Sequence, residues 1–352
     1  AFVEHGFQPR QNLPDGKENP EYKDMTKLGT GIYRSEDGGT SWQYMNRFNN
    51  RPFYYSHIHL NPIDDQIVYV VTGQYLISTD GGKTLQQQST GIHGDYHALW
   101  SDPTNKDRYY IGNDGGAALT HDQGKNYLFF DNLALSQFYA VGADMRDPYY
   151  VYGGLQDNGS WGGPSNSRDT EGILTDHWFR IGGGDGFYTP ADPHDWRVVY
   201  AESQQGNVQR VDIETRRGTR IKPNKNNIVN YDDYVTQEIL DLQKEAGWGN
   251  DNPFRFNWSC PIVPSHHHPG TVYFGGNFLF KTTDRGESWA IVSPDLTTQD
   301  PVKIDRKTGG LTPDVTGAEN HCSFVVVSES PLAPEVIWVG TDDGNVQITR
   351  DG

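Results

Sequence analysis

Short runs rich in Val, Ile, Tyr and Phe recur along the chain, each bounded by Gly, Asp, Asn or Pro. That pattern predicts β-strands closed by tight turns. The runs fall into sets of three: 55–60, 67–72 and 75–78; 96–100, 109–112 and 117–120; 137–143, 149–153 and the stretch from Ser160; 178–188, 198–202 and 208–212; 256–263, 271–274 and 279–282; 323–327, 336–340 and 346–349. Residues 31–44 supply only the last two strands of a further set. One stretch departs from strand periodicity. Residues 233–246 carry Val235, Ile239, Leu240 and Leu242 at helical spacing among good helix formers. They predict a helix that either packs on the rim of the fold or closes over its face as a lid.

The turn after the third run repeats. Ser35, Asp37, Gly39 and Trp42 recur as Ser78, Asp80, Gly82 and Leu85. They recur again as Thr120, Asp122, Gly124 and Tyr127, and as Thr282, Asp284, Gly286 and Trp289. A further copy begins at Thr349 and Asp351 and is cut by Gly352. The first three aspartates lie 43 and 42 residues apart, the length of a four-stranded propeller blade. The 162 residues from Asp122 to Asp284 leave room for two blades with decayed turns and an insertion at 217–252. Physically the motif is a lock: the Asp carboxylate accepts backbone N–H groups two residues on, glycine supplies positive φ, and the closing Trp, Leu or Tyr packs on the sheet. These aspartates are therefore structural and poor catalytic candidates. The chain reads as an all-β propeller of about seven four-stranded blades over 31–352, after an irregular segment at 1–30. It is either whole or part of a larger propeller with further domains of a longer parent chain.

Composition narrows the function. Lys and Arg number 29 against 46 Asp and Glu, a net charge of −17, which argues against a nucleic-acid partner. No run approaches the roughly 18 apolar residues of a membrane span. Only 34% of the chain is hydrophobic, yet 12% is aromatic, which excludes a disordered chain. Ala1 opens without the charged and apolar regions of a secretory signal. Cys260 and Cys322 fall on neighbouring predicted blades and read as buried free thiols, with a disulfide as the alternative. Asn158 and Asn257 start sequons that matter only in a eukaryotic secretory host.

If strands run from inner to outer, the repeated turns lie on one face and everything chemically varied lies on the other. The turns between second and third strands bring Asn113, Asp114, Gln156, Asp157, Asn158, Gln204, Gln205, Asn277, Asp342 and Asp343 to that second face. The links between blades add Tyr54, Tyr55, His57, Asp95, His97, Gln137, Asp185, Arg255, Trp258, Glu319 and His321. This polar, aromatic set suits a hydroxyl-rich glycan or a protein segment. Ordinary turn structure is the default for any one of its Asp or Asn residues. Asp157 and Asp185 stand out, because each sits in a long Gly-rich phrase, 153–159 and 182–186. In a glycosidase one would be the protonated acid and the other the base or nucleophile, with Asp95 and Glu319 in reserve; their separation would predict retention or inversion. A rival reading gathers His57, His97 and His321 with Asp95 around a divalent metal. His266, His267 and His268 read as a solvated loop. No cofactor is expected.

The repeated turns form the Asp-box pattern. They occur with the phrases at 51–55, 112–116, 152–161 (Tyr-Gly-Gly-Leu-Gln-Asp-Asn-Gly-Ser-Trp), 183–187, 200–207, 255–258 and 340–345. Together these resemble the Asp-box (BNR-repeat) propellers, which include sialidases, family-74 xyloglucanases, photosystem II assembly-factor propellers and sortilin-type receptors. They are most similar to bacterial secreted proteins labelled sortilin-like or BNR-repeat glycosyl hydrolase. The resemblance implies a propeller and a secreted or periplasmic home, and little about activity. Sialidase activity is disfavoured: that family needs an arginine cluster, and only Arg51 and Arg255 fall near the expected face. The expectation is a binding or assembly module for a glycan or protein segment, with a glycoside hydrolase as the alternative.

Overall fold

The computed structural model describes residues 2–3, 31–48, 56–133, 135–248, 253–305 and 317–352. The chain packs as two compact units, 1–134 and 135–352. In the first unit β1 (Phe2–Val3), β2 (Gly31–Arg34) and β3 (Gln43–Asn46) form one antiparallel sheet. A second sheet holds β4 (His57–Leu60), β5 (Val68–Val71), β6 (Tyr75–Ser78) and β7 (Gln86–Gln87). A third holds β8 (Tyr96–Ser101), β9 (Tyr109–Asn113), β10 (Gly116–Thr120) and β11 (Leu128–Phe129).

The second unit opens with β12 (Phe138–Ala143), β13 (Tyr150–Leu155), β14 (Gly159–Pro164) and β15 (Phe179–Gly182). The next sheet is β16 (Ala191–Asp192), β17 (Asp195–Ser203), β18 (Asn207–Asp212) and β19 (Arg217–Arg220). Then come β20 (Ile262–Pro264), β21 (Val272–Gly275), β22 (Leu279–Thr282) and β23 (Ala290–Ile291). The last sheet has β24 (Phe324–Glu329), β25 (Ile337–Thr341) and β26 (Val346–Thr349). Every sheet is a sequential meander, the blade unit of a β-propeller. The all-β class expected from the sequence is the one observed. Among the described residues five sheets have four strands and two have three.

Two expectations shift. The run 178–188 is divided between two blades: its first half, β15, pairs with β14 and closes the preceding sheet, through Trp161↔Arg180 and Gly162↔Phe179. Its second half, after the Gly-rich bend at 183–186, crosses to the following sheet and runs beside β17 ahead of the short β16: Gly186 bridges Ser203, and the Phe187 N–H donates to Glu202 O at 3.0 Å. The predicted helix at 233–246 is two helices, α1 (Tyr231–Tyr234) and α2 (Gln237–Glu245). Thr236 divides them; its backbone is extended and its hydroxyl accepts the Ile239 N–H, the work of an N-cap. The pair docks on the outer strand of its neighbour sheet. Asn230 exchanges two hydrogen bonds with Ile291 of β23, and Tyr231 and Val235 are buried in the cluster around Trp289.

The repeated turn joins the last two strands of four sheets, β2–β3, β6–β7, β10–β11 and β22–β23, and its geometry is uniform. In the second sheet the Ser78 hydroxyl donates to Asp80 and accepts the Gly82 N–H. Asp80 then accepts the Thr84 N–H at 2.9 Å and its hydroxyl at 2.7 Å. Asp37, Asp122 and Asp284 repeat this arrangement with Ser41, Asn126 and Ser288. The carboxylate thus reaches four residues on, rather than two; the nearer N–H groups belong to the Ser or Thr hydroxyl. Gly38 and Gly39 have φ of 70° and 94°, as the turn requires. Gln123 and Arg285 hold the first of these left-handed positions without glycine, at 59° and 62°.

The cores are aromatic. In the first unit Tyr69, Tyr75, Tyr96 and Tyr109 are buried between sheets, and Tyr109 shares a 2.8 Å hydroxyl contact with Tyr127. In the second, Phe254 meets Tyr231, Phe278 and Phe280 edge-on. Each such ring removes about 150–250 Å² from water, about 4–6 kcal/mol as an upper bound. That explains how a chain with few aliphatic residues holds together.

Candidate functional site

The second unit joins the two Gly-rich phrases singled out in the sequence. Gly159 bridges Asp185, and the Gly186 N–H donates to Leu155 O at 2.9 Å. A Cβ at Gly154 would stand 2.2 Å from the Gly186 carbonyl carbon, so glycine is what lets these backbones touch. The contact sets Asp157 beside Asp185. Asp157 occupies the turn between β13 and β14 with φ of 57°, a conformation L-residues rarely adopt. Its N–H donates to Asp185 Oδ1 at 2.6 Å. The Trp258 indole N–H donates to Asp185 Oδ2 at 3.0 Å.

Asp185 is only 4% exposed. Burial pushes its carboxyl above the ordinary value, against the pull of the Asp157 N–H; the Asp157 carboxyl pushes further up through hydrogen bonding and charge, and the Trp258 indole pulls down. The two carboxyls therefore share a site, and burial and the Asp157 carboxyl each make ionisation of Asp185 harder than it would be in water. Tyr139 of β12 completes the group. Its ring packs on Phe187 with centroids 4.6 Å apart, and its phenol is raised by burial and then by the charges of Asp185 and Asp157. The result is a pair of adjacent carboxyls flanked by two aromatic side chains.

The other expected residues of this unit are mostly engaged in turns. The Gln156 N–H donates to Gln137 O, Asn158 Nδ2 to Gln156 O, and Asn207 Nδ2 to Gln204 O. Asp342 receives the Ser323 N–H, the Ser323 hydroxyl and Asn257 Nδ2, with His321 Nδ1 at 3.6 Å. Glu319 Oε2 accepts the Gly317 N–H at 3.1 Å. Arg255 requires correction. It is 1% exposed and spends its guanidinium on Asp295 at 2.6 Å, Thr297 at 3.1 Å and the Cys322 carbonyl at 3.0 Å. It cross-links the fold and presents no charge to a ligand. Cys260 and Cys322 are buried free thiols.

In the first unit His97 Nε2 lies 2.8 Å from Asp114 Oδ1. Asn113 is used by its own turn, donating to His93 O and accepting the Gly115 N–H. The Asp114 N–H donates to Asp95 O at 3.3 Å. His57 opens β4, half-exposed neighbours around it, and Tyr55 lies outside the described residues. Among the described residues no group of three or more His, Cys, Asp or Glu is placed to hold a metal ion. Within the first unit, His57 and His97 thus do not form such a group with Asp95.

Two residues escaped the sequence reading. Glu202 is 1% exposed in β17, where its Oε1 accepts the Cys260 N–H at 3.1 Å. Lys222 donates to Gln205 O at 2.7 Å and lies 4.6 Å from the Phe256 ring centroid. The signal was a carboxylate inside the apolar run Val198–Ala201–Glu202, which alternation alone would have left unremarked.

No protein-family model and no curated protein matches the chain. Solved structures resemble it weakly. YCF48 bound to D1 peptide matches with a TM-score of 0.31 and 12% identity, over 92% of this chain and 86% of that one. A GH74 enzyme of Niastella koreensis matches with 0.36 and 14%, over 91% and 49%. The GH74 xyloglucanase of Xanthomonas campestris matches with 0.34 and 14%, over 85% and 45%. The chain spans about half the length of the two GH74 structures. At such scores the likeness assigns no function.

Proposed function

We propose that this chain is an Asp-box propeller acting outside the cytoplasm as a binding module for a glycan or a protein segment. The gripping surface is the polar aromatic group of Tyr139, Asp157, Asp185 and Trp258. The observation that supports it is the adjacency of the two carboxyls. A glycosidase of the usual kind holds its acid and its base or nucleophile about 5–5.5 Å or about 6.5–9.5 Å apart, across the bond being cleaved. Asp157 and Asp185 instead lie against each other, with the Asp157 N–H on Asp185 Oδ1 at 2.6 Å and the Asp157 carboxyl raising that of Asp185. Two adjacent carboxyls beside an indole N–H offer acceptors and a donor in one place, which suits sugar hydroxyls or peptide amides. The neighbouring rings offer stacking faces.

The test is a paired experiment. Binding is measured on glycan and peptide arrays for the protein and for Asp157→Gly, and reducing-sugar release is measured on a polysaccharide panel. The expected result is a bound ligand class lost in the variant and no sugar release. Release that disappears in Asp185→Ala would overturn the binding reading in favour of the hydrolase.

A further inference from the structure

Glu202 stands between the two segments that make the candidate site. Its backbone pairs with the segment after Asp185: the Phe187 N–H donates to Glu202 O at 3.0 Å, and the Glu202 N–H donates to Tyr188 O at 3.1 Å. Its side chain reaches the segment after Trp258, where Oε1 accepts the Cys260 N–H. Lys222 grips the same segment by a second route. Its ammonium donates to Gln205 O, and the Gln205 N–H donates to Trp258 O at 3.1 Å. Gln205 holds a left-handed φ of 61°, a strained backbone that a fixed partner must maintain. Within the segment itself Asn257 Oδ1 accepts the Ser259 N–H, and Cys260 Sγ lies 3.4 Å from Asn257 O. Trp258 is thus tethered on both sides, and its indole N–H ends on Asp185.

We propose that Glu202 and Lys222 form a buried clamp that positions Trp258 against Asp185. The clamp is costly if it serves no purpose. Glu202 Oε2 is buried without a hydrogen-bond partner among the described residues, and such a group costs about 1–3 kcal/mol. Burial raises the Glu202 carboxyl well above its ordinary value and lowers the Lys222 ammonium. The titratable groups facing Glu202 are Lys222, Cys260 and Tyr188; those facing Asp185 are Asp157 and Tyr139.

The importance of the clamp for binding rests on the function proposed above, but its geometry is tested without any ligand. The nine tryptophans of the protein are labelled with ¹⁵N, and the Trp258 indole resonance is assigned through Trp258→Phe. In the unaltered protein that resonance should move as Asp185 titrates. Glu202→Leu and Lys222→Met should each shift it and shrink its pH response by about half or more, because a bent or stretched hydrogen bond weakens steeply. Glu202→Gln keeps an acceptor for the Cys260 N–H and should restore the original signal. If Glu202→Leu does not fold, Lys222→Met decides alone. An unchanged Trp258 resonance in the folded variants would overturn the proposal, as would a shift shared by all the indole signals. Loss of array binding with an intact clamp would instead count against the binding reading.

Discussion

Arg255 distinguishes a structural cation from a ligand-binding one. Replacing it by methionine keeps most of the volume and removes the charge. Asp295 is left behind with its side chain 11% exposed, still holding the Thr297 hydroxyl and Asn277 Nδ2. The Cys322 carbonyl and the Thr297 hydroxyl each lose a donor. Breaking a buried pair from one side costs about 3–5 kcal/mol. The three donors that Asp295 retains, the Thr297 N–H among them, place the expected loss near the low end, about 3 kcal/mol, or about 6–12 °C in Tm for a unit of this size. Thermal unfolding followed by tryptophan fluorescence measures it. The double variant Arg255→Met with Asp295→Asn should recover part of the loss, because no buried carboxylate then remains unpaired. Arg255→Met destabilised by less than about 1 kcal/mol, or a double variant worse than the two singles combined, would refute the structural role.

Other outcomes follow from the same geometry. Gly286→Ala should cost about 3 kcal/mol or more, since φ is 92° and the new Cβ would meet Ile221 at 2.8 Å; Gly38→Ala, with φ of 70° and open space, should cost about 1–2 kcal/mol in the same unfolding assay. Asp37, Asp80 and Asp122 are held at about 2 by the hydrogen bonds of their turns, below the ordinary 3.8. Their folded values are depressed, so the stability they add is present above 3.8 and lost as pH falls toward 2, which urea midpoints across acid pH would record. Asp185 has the opposite sign: its raised value means that ionisation costs stability as pH rises through it, and Asp185→Asn should remove that part of the pH dependence. Asp157→Gly should fold at least as stably as the original, because glycine relieves a left-handed residue, so any binding it loses reports the side chain.

Local physics made much of this protein legible in one dimension. The repeated Ser/Thr-x-Asp-x-Gly turns are closed by hydrogen bonds within a few residues, so their spacing announced the meander sheets without knowledge of any distant contact. Strand positions such as Tyr75–Ser78 and Val346–Thr349 agreed for the same reason, alternation bounded by turn residues. The Gly-rich phrases around Asp157 and Asp185 were visible as unusual, because close backbone approach demands glycine. What each polar residue does there was decided only by tertiary structure. A motif does not reveal whether an arginine faces solvent or a buried aspartate, and Arg255 proved to be the latter. Glu202 and Lys222, twenty residues apart, become partners only when β17 and the segment after β19 are laid beside Trp258. Short-range hydrogen bonding and φ are written into neighbouring residues; burial, pairing and proton affinity belong to the packed fold.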